Sequence, residues 1–179
     1  MKPAVRRTLA ATTILLIAAG GWYVVPRHDG GPLADAGARL CVPVGGATYV
    51  TLTSSRVQNT GSARVVITDV SLIGADPEDV EYGGAFLDPK GNPGPNVRPG
   101  RTYGNGPWDE PDGPRQAVGA EVSPATSEQP GPVLGIHLKR LDVLGESRVR
   151  GIRVEYWSGA RRFAREYDLE YTLRPGPCH

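Results

Sequence analysis

The chain has 179 residues, of which 39% are hydrophobic and 22% charged. This composition excludes a wholly disordered chain and a multi-span membrane protein. Its 20 Lys and Arg residues nearly balance 19 Asp and Glu residues, for a net charge of +1. A general nucleic-acid binder is therefore excluded, because phosphate binding needs surplus cations.

The first predicted element is a membrane anchor. Residues 1–7 carry three basic side chains, and the following run from Thr8 to Val25 is uncharged and largely apolar. As a helix this run spans about 27 Å, close to the hydrocarbon thickness of a bilayer. We expect a single-pass protein of the cell membrane, with residues 1–7 cytoplasmic and the remainder exported. The alternative is a signal peptide that is cleaved at residues 18–20. The apolar run continues past this site to Val25, however, which favours a retained signal anchor.

The two cysteines agree with export. Residues 26–40 show no periodicity and are interpreted as a linker, which is followed by a domain at 41–179 that begins and ends near Cys41 and Cys178. In an oxidising compartment an even pair indicates a disulfide bond. Two free thiols are the alternative, whereas a zinc site is excluded because no Cys/His cluster surrounds either residue.

The exported domain is predicted to be all-β. Alternating apolar residues indicate strands at 48–52, 64–73, 80–87, 117–122, 133–141, 150–157 and 163–173. The last two strands are the clearest, and the Gly159 turn between them predicts a hairpin. Within 133–141 we expect Leu134, Ile136 and Leu138 to face inward. About seven short strands separated by Gly, Pro and Asn turns indicate an antiparallel β-sandwich.

Three stretches carry a resemblance to a known group of proteins. They read VQNTGSARVVITDVSLIGA at 57–75, VLGIHLKRL at 133–141 and RGIRVEYWSGARRFAREYDLEYTL at 150–173. Together with the anchor and the two cysteines, they resemble uncharacterised membrane-anchored extracytoplasmic proteins of actinobacteria. The resemblance implies an immunoglobulin-like ectodomain, and it carries no catalytic motif.

A search for chemistry yields no site. His28, His137 and His179 have no partner at the spacing of a metal site or a catalytic triad, so we interpret them as surface residues. Acidic clusters at 76–81 and 109–112 do not match the calcium-loop pattern and are interpreted as solvated turns. No catalytic residue, metal or cofactor is predicted. The favoured hypothesis is a non-catalytic binding or assembly module of the cell envelope, and the alternative is a hydrolase-like envelope enzyme with a site assembled from distant residues.

One segment is predicted to have no regular structure. Residues 88–115 hold seven prolines and six glycines, and proline removes the amide donors that a strand needs. Long loops in compact domains are usually functional or disordered. Tyr103 and Trp108 on this loop are the predicted contacts with an envelope protein partner, because aromatic side chains give contact area at low entropic cost. The alternative is that both rings fold back onto the domain.

Overall fold

The computed structural model describes residues 27–34, 36–91, 96–99 and 113–178. The predicted cytoplasmic segment 1–7 and the predicted anchor from Thr8 to Val25 lie outside these ranges. All regular structure in the described ranges is β-structure, as the sequence predicts. The same ranges hold no helix that is long and apolar enough to cross a membrane.

The strands are distributed over the whole described chain. In order they are β1 (Arg27–Asp29), β2 (Gly37–Pro43), β3 (Tyr49–Arg56), β4 (Val65–Ile73), β5 (Val80–Asp88), β6 (Asn96–Pro99), β7 (Arg115–Gln116), β8 (Glu121–Val122), β9 (Val133–Arg140), β10 (Ser147–Val149), β11 (Gly151–Ser158) and β12 (Arg161–Arg174). Six of the predicted strands are present as β3, β4, β5, β9, β11 and β12. The strand predicted at 117–122 is reduced to β8, because Gly119 has a φ of 87° and interrupts the extended backbone.

The larger sheet has seven strands and is organised around β12. Its order is β1-β12-β11-β4-β8, and β2 and β10 also pair with β12. The first half of β12 pairs with β1 and β11, and its second half pairs with β2 and β10. The alternation seen in the sequence explains how this long strand packs. Every second side chain is buried on one face, namely Tyr167, Leu169, Tyr171 and Leu173.

The smaller sheet has five strands in the order β6-β3-β9-β5-β7. Its central strand β9 directs Leu134, Ile136 and Leu138 into the core, which confirms the predicted inward face. On the other face, Gly135 lies against the ring of Phe86, where any Cβ would collide with the aromatic carbons. A glycine is therefore required at this position.

The two sheets share one hydrophobic core. Buried side chains from both sheets form a single cluster, with Val50 and Leu52 of β3 in the same cluster as Ile152 of β11. The hydroxyl of Tyr171 on β12 donates a hydrogen bond to the carbonyl of Thr53 on β3 at 2.9 Å. Burial raises the pKa of Tyr171 well above its ordinary value, so this phenol remains a donor at any physiological pH.

The segment 26–40, predicted as a linker, contains paired strands instead. β1 and the first residues of β2 both pair with β12, and both pairings are parallel. The prediction of a wholly antiparallel arrangement is wrong to this extent. The segment forms a strand here because Ala38, Leu40 and Val42 alternate along β2 and pack against the core.

The proline-rich segment 88–115 also differs from its prediction, since it contains strand β6. β6 pairs antiparallel with β3, and Pro99 lies opposite Val50. β6 is the outermost strand of its sheet, and an edge strand tolerates proline because its outward amide needs no ladder partner. Tyr103 and Trp108 lie outside the described residues.

The turn at 58–61 is a junction between three parts of the chain. Asn59 is fully buried, and its amide nitrogen donates to the carbonyls of Ala63 at 2.8 Å and Val122 at 3.0 Å. Its side-chain oxygen accepts from the Gly61 amide at 3.0 Å, which closes an Asx turn. The neighbouring Thr60 amide donates to the Pro32 carbonyl at 2.7 Å. This turn therefore fixes the segment between β1 and β2 against β8.

Candidate functional site

A groove lies between β4 of the larger sheet and β5 of the smaller sheet. It encloses about 510 Å³ and is open to solvent. We call it the β4–β5 groove. Its walls are mainly apolar and consist of Ser71, Leu72, Ala75, Pro77, Val80, Glu81, Tyr82 and Leu141. Tyr82 is 38% exposed and Leu141 is 48% exposed, so the groove presents apolar surface to the solvent.

The turn between β4 and β5 builds one end of this groove. Gly74 ends β4 with a φ of 60°, a conformation that glycine adopts at little cost. The amides of Asp79 and Val80 then donate to the Asp76 carbonyl at 3.1 and 3.0 Å, and the Asp76 carboxylate accepts from the Glu78 amide at 2.9 Å. The predicted acidic cluster at 76–81 is thus a turn that its own carboxylate supports.

Both strands that border the groove have edges without a strand partner in the described part of the chain. Within the described ranges, β8 pairs only with Val65 and Val66 of β4, and β7 pairs only with Phe86 and Leu87 of β5. The segments 69–73 of β4 and 80–84 of β5 therefore have no described strand on their outer side. Exposed strand edges carry backbone donors and acceptors that are available to another extended chain.

The charges around the groove are predominantly acidic. Asp69, Asp76, Glu78 and Glu81 are exposed near it, and the Lys139 ammonium binds Glu81 at 2.8 Å. Burial, with a smaller effect of the Asp69 charge, raises the pKa of Tyr82 to about 12. The phenol is neutral at physiological pH and keeps its proton for donation to a ligand. Apolar walls, a phenol donor and acidic borders favour a ligand with apolar and basic groups.

The predicted Cys41–Cys178 disulfide is confirmed. The two Cα atoms lie 5.9 Å apart, and the bond joins residues separated by 137 positions. Cys41 lies on β2 opposite Thr172 of β12, so the bond secures the C-terminal end of the domain to β2. The proposed partner contacts Tyr103 and Trp108 lie outside the described residues and stay a prediction.

His137 is less exposed than a surface histidine. It lies on the outer face of β9, and its ring stacks on Phe86 with centroids 4.8 Å apart. Its Nδ1 lies 3.0 Å from the Thr51 hydroxyl, and burial lowers the pKa of the imidazole. Within the described residues, no group of three or more His, Cys, Asp or Glu side chains could hold a metal ion.

Two arginine sites have no counterpart in the sequence predictions. Arg140 is 1% exposed, and its guanidinium donates to four loop carbonyls at 2.7–3.4 Å, those of Gly45, Ala47, Val143 and Gly145. Desolvation lowers the pKa of Arg140. Position 140 ends the inward alternation of β9, and this is the signal in the sequence that points to a buried guanidinium.

The second site surrounds Glu155 on the outer face of the larger sheet. This carboxylate is 6% exposed and contacts Arg27 at 2.9 Å, Arg162 at 2.6 Å and Arg153 at 3.4 Å. Desolvation raises the pKa of Glu155, but the Arg162 hydrogen bond and the nearby arginine charges outweigh it, and the net pKa is lowered. Glu155 therefore joins β1, β11 and β12 as an anion.

The chain matches no protein-family model, no curated protein and no solved structure.

Proposed function

We propose that this protein is a membrane-anchored extracytoplasmic binding module of the cell envelope, with an immunoglobulin-like β-sandwich as its exported domain. Two observations support export. The Thr8–Val25 run is apolar and follows basic residues, and the Cys41–Cys178 disulfide is typical of oxidising compartments. The packing of two sheets on one core supports the sandwich.

The observation that carries the binding function is the β4–β5 groove. Its apolar walls lie between two strand edges that have no described neighbour on that side. Extended peptides bind such edges through main-chain hydrogen bonds, while alternate side chains enter adjacent pockets. The groove therefore fits an extended segment of another envelope protein, and its role is recognition rather than catalysis.

The charges at the groove define the chemistry of that segment. Glu81 lines the groove and is bound by Lys139, whereas the exposed Asp69 lies close enough to Tyr82 for its charge to act on the phenol. A carboxylate in the position of Asp69 attracts cations and disfavours acidic partners. We infer a partner segment that alternates apolar residues with Lys or Arg. Tyr82 supplies a hydrogen-bond donor beside the apolar contact, as is common where an aromatic residue dominates an interface.

Site-specific photo-crosslinking in intact cells tests this function. A photoreactive phenylalanine analogue replaces Tyr82, and the same analogue at the exposed Glu128, in the distant 125–129 turn, is the control. We expect a discrete protein adduct at position 82 and none at position 128. Equal adducts at both positions, or none at position 82, would refute the groove as the binding site.

A matched pair of leucine variants separates the groove from its surroundings. Leu141 lines the groove, whereas Leu144 is 83% exposed and lies outside it. Leu141→Gln should lower the adduct yield at position 82, and Leu144→Gln should leave it unchanged. A similar loss with both variants would show that the loop, and not the apolar wall, controls binding.

A further inference from the structure

The first described strand fixes the entry of the chain into the domain. β1 pairs in parallel with β12, and Arg27 lies opposite Arg162. The Arg27 guanidinium contacts both oxygens of the buried Glu155 carboxylate, at 2.9 and 3.0 Å. The Gly30 amide then donates to the Ala164 carbonyl at 3.0 Å. The chain is therefore part of the larger sheet from Arg27 onward.

The apolar run ends very close to this point. Only Pro26 separates Val25 from Arg27, and two residues extend at most about 7 Å between Cα atoms. Where the run leaves the bilayer, Arg27 must lie within that distance of its last residue. This step rests on the proposed anchor, and it places the edge of the sheet beside the lipid headgroups.

The β11–β12 turn lies at the same end of the sheet as Arg27. Ser158 pairs with Arg161, and Trp157 pairs with Arg162. Val65 pairs with Ser158 from β4, so the preceding Arg64 is also near this end. We call Arg27, Arg64, Trp157, Arg161 and Arg162 the basic tip. Within it, Arg27 and Arg162 bind Glu155, and Arg64 binds Glu121 at 2.9 Å. The exposed Arg161 is the tip arginine outside these ion pairs. Arginine beside tryptophan is the side-chain chemistry that favours the lipid–water interface.

We propose that the basic tip rests on the phosphate headgroups of an anionic membrane surface and holds the domain in a fixed orientation. Arg161 is exposed, and the turn that carries it is tight because Gly159 has a φ of 59°. The Arg161 guanidinium meets the anionic phosphates, and the indole of Trp157 lies at headgroup level.

The β4–β5 groove lies at the opposite end of β4 from the basic tip. β4 begins at Val65 beside the tip and reaches the groove at Ser71 and Leu72. Six or seven residues of extended chain correspond to about 20–23 Å. The groove is thus raised from the bilayer, and its acidic borders are kept away from anionic lipid.

Fluorescence quenching in lipid nanodiscs tests this orientation with the full chain. The chain has 2 cysteines, both in the disulfide, so Ala160→Cys introduces one thiol for a fluorophore at the tip. Glu78→Cys places the same fluorophore in the β4–β5 turn as a control. With a nitroxide on the phosphatidylcholine headgroup, we expect strong quenching at position 160 and little at position 78.

Charge variants test whether the arginines hold the tip on the membrane. Nanodiscs contain phosphatidylcholine alone or mixed with phosphatidylglycerol in equal parts. Each basic residue near an anionic leaflet changes its association by about fivefold, so Arg161→Glu should reduce quenching at position 160 in the anionic discs. Arg150→Glu, an exposed arginine beyond the groove end of β11, should leave it unchanged.

Each result has a distinct meaning. If the full chain does not enter the nanodiscs, the proposed anchor fails and this inference fails with it. If the chain enters but positions 160 and 78 are equally unquenched, the anchor stands and the orientation is refuted. Quenching at position 160 that ignores both phosphatidylglycerol and Arg161→Glu would show that the short connection acts alone, which refutes the contact with anionic headgroups.

Discussion

Removal of the Cys41–Cys178 disulfide should destabilise the domain by about 5 kcal/mol. The bond joins residues separated by 137 positions, and in the chain-entropy model a loop of this length restricts the unfolded chain by about 5 kcal/mol at 25 °C. The Cys41→Ala, Cys178→Ala double variant removes the bond without leaving a reactive thiol. With a urea m-value of about 2 kcal/mol per molar, the unfolding midpoint should fall by about 2.5 M.

The measurement is urea unfolding of the full chain in detergent, monitored by tryptophan fluorescence. Reduction of the natural chain provides the matched control, and it should shift the midpoint by the same amount. A loss below about 1 kcal/mol would refute the reasoning, because it would show that the unfolded chain already keeps its ends together. In that case the parallel pairing of β2 with β12, and not the disulfide, holds the end of the domain.

Three further predictions concern buried polar groups. Arg140→Met should lower the free energy of unfolding by about 1–3 kcal/mol, because four loop carbonyls lose a charged donor, whereas exposed Arg150→Met should change it by less than about 0.5 kcal/mol. Asn59→Ala should lower the melting temperature, since the carbonyls of Ala63 and Val122 lose their donor; an unchanged melting temperature would contradict this. Glu155→Gln should destabilise most at neutral pH. Because the pKa of Glu155 is lowered in the folded chain, its ionised form stabilises the fold fully above the unfolded pKa of about 4.3, and this stabilisation is lost as the pH falls through the folded pKa. A difference in unfolding free energy between the natural chain and Glu155→Gln that does not change with pH would refute this reasoning.

The elements that the sequence predicts well are those with local signals. The alternation of Tyr167, Leu169 and Tyr171 defines one buried face of β12, and the Gly159 turn joins it to β11. The disulfide is equally easy to predict from the sequence, because two cysteines can form only one disulfide bond. These signals need no knowledge of the strand order.

The parallel pairings depend on tertiary structure and escape sequence reasoning. Ala38, Leu40 and Val42 alternate in β2, but three small or medium apolar residues next to a Gly-rich stretch resemble a linker. Their strand forms because the second half of β12 offers a partner edge. Likewise, β6 contains Pro99 and is recognisable only once its edge position is known.

The candidate site is harder to predict than the fold. The β4–β5 groove exists because β8 and β7 end early, which leaves adjacent edges of two different sheets without a strand partner among the described residues. The sequence shows the acids near Asp76 but not the apolar wall that Leu72 and Leu141 form across the groove. A run of acidic residues alone therefore indicates only a solvated turn, and the binding surface emerges from the meeting of distant strands.

The proposed attachment to the membrane has a consequence for partner binding. β1 is hydrogen-bonded to β12, β12 to β11 and β11 to β4, so one continuous ladder connects Arg27 with Leu72. On the proposed arrangement, the groove has a defined height and direction relative to the bilayer. A domain on a flexible linker would lose orientational freedom on capture by a membrane partner, and that loss lowers affinity. If the domain is attached as proposed, much of this freedom is already removed when it folds, and modest contacts in the groove would be sufficient for a partner in the same membrane.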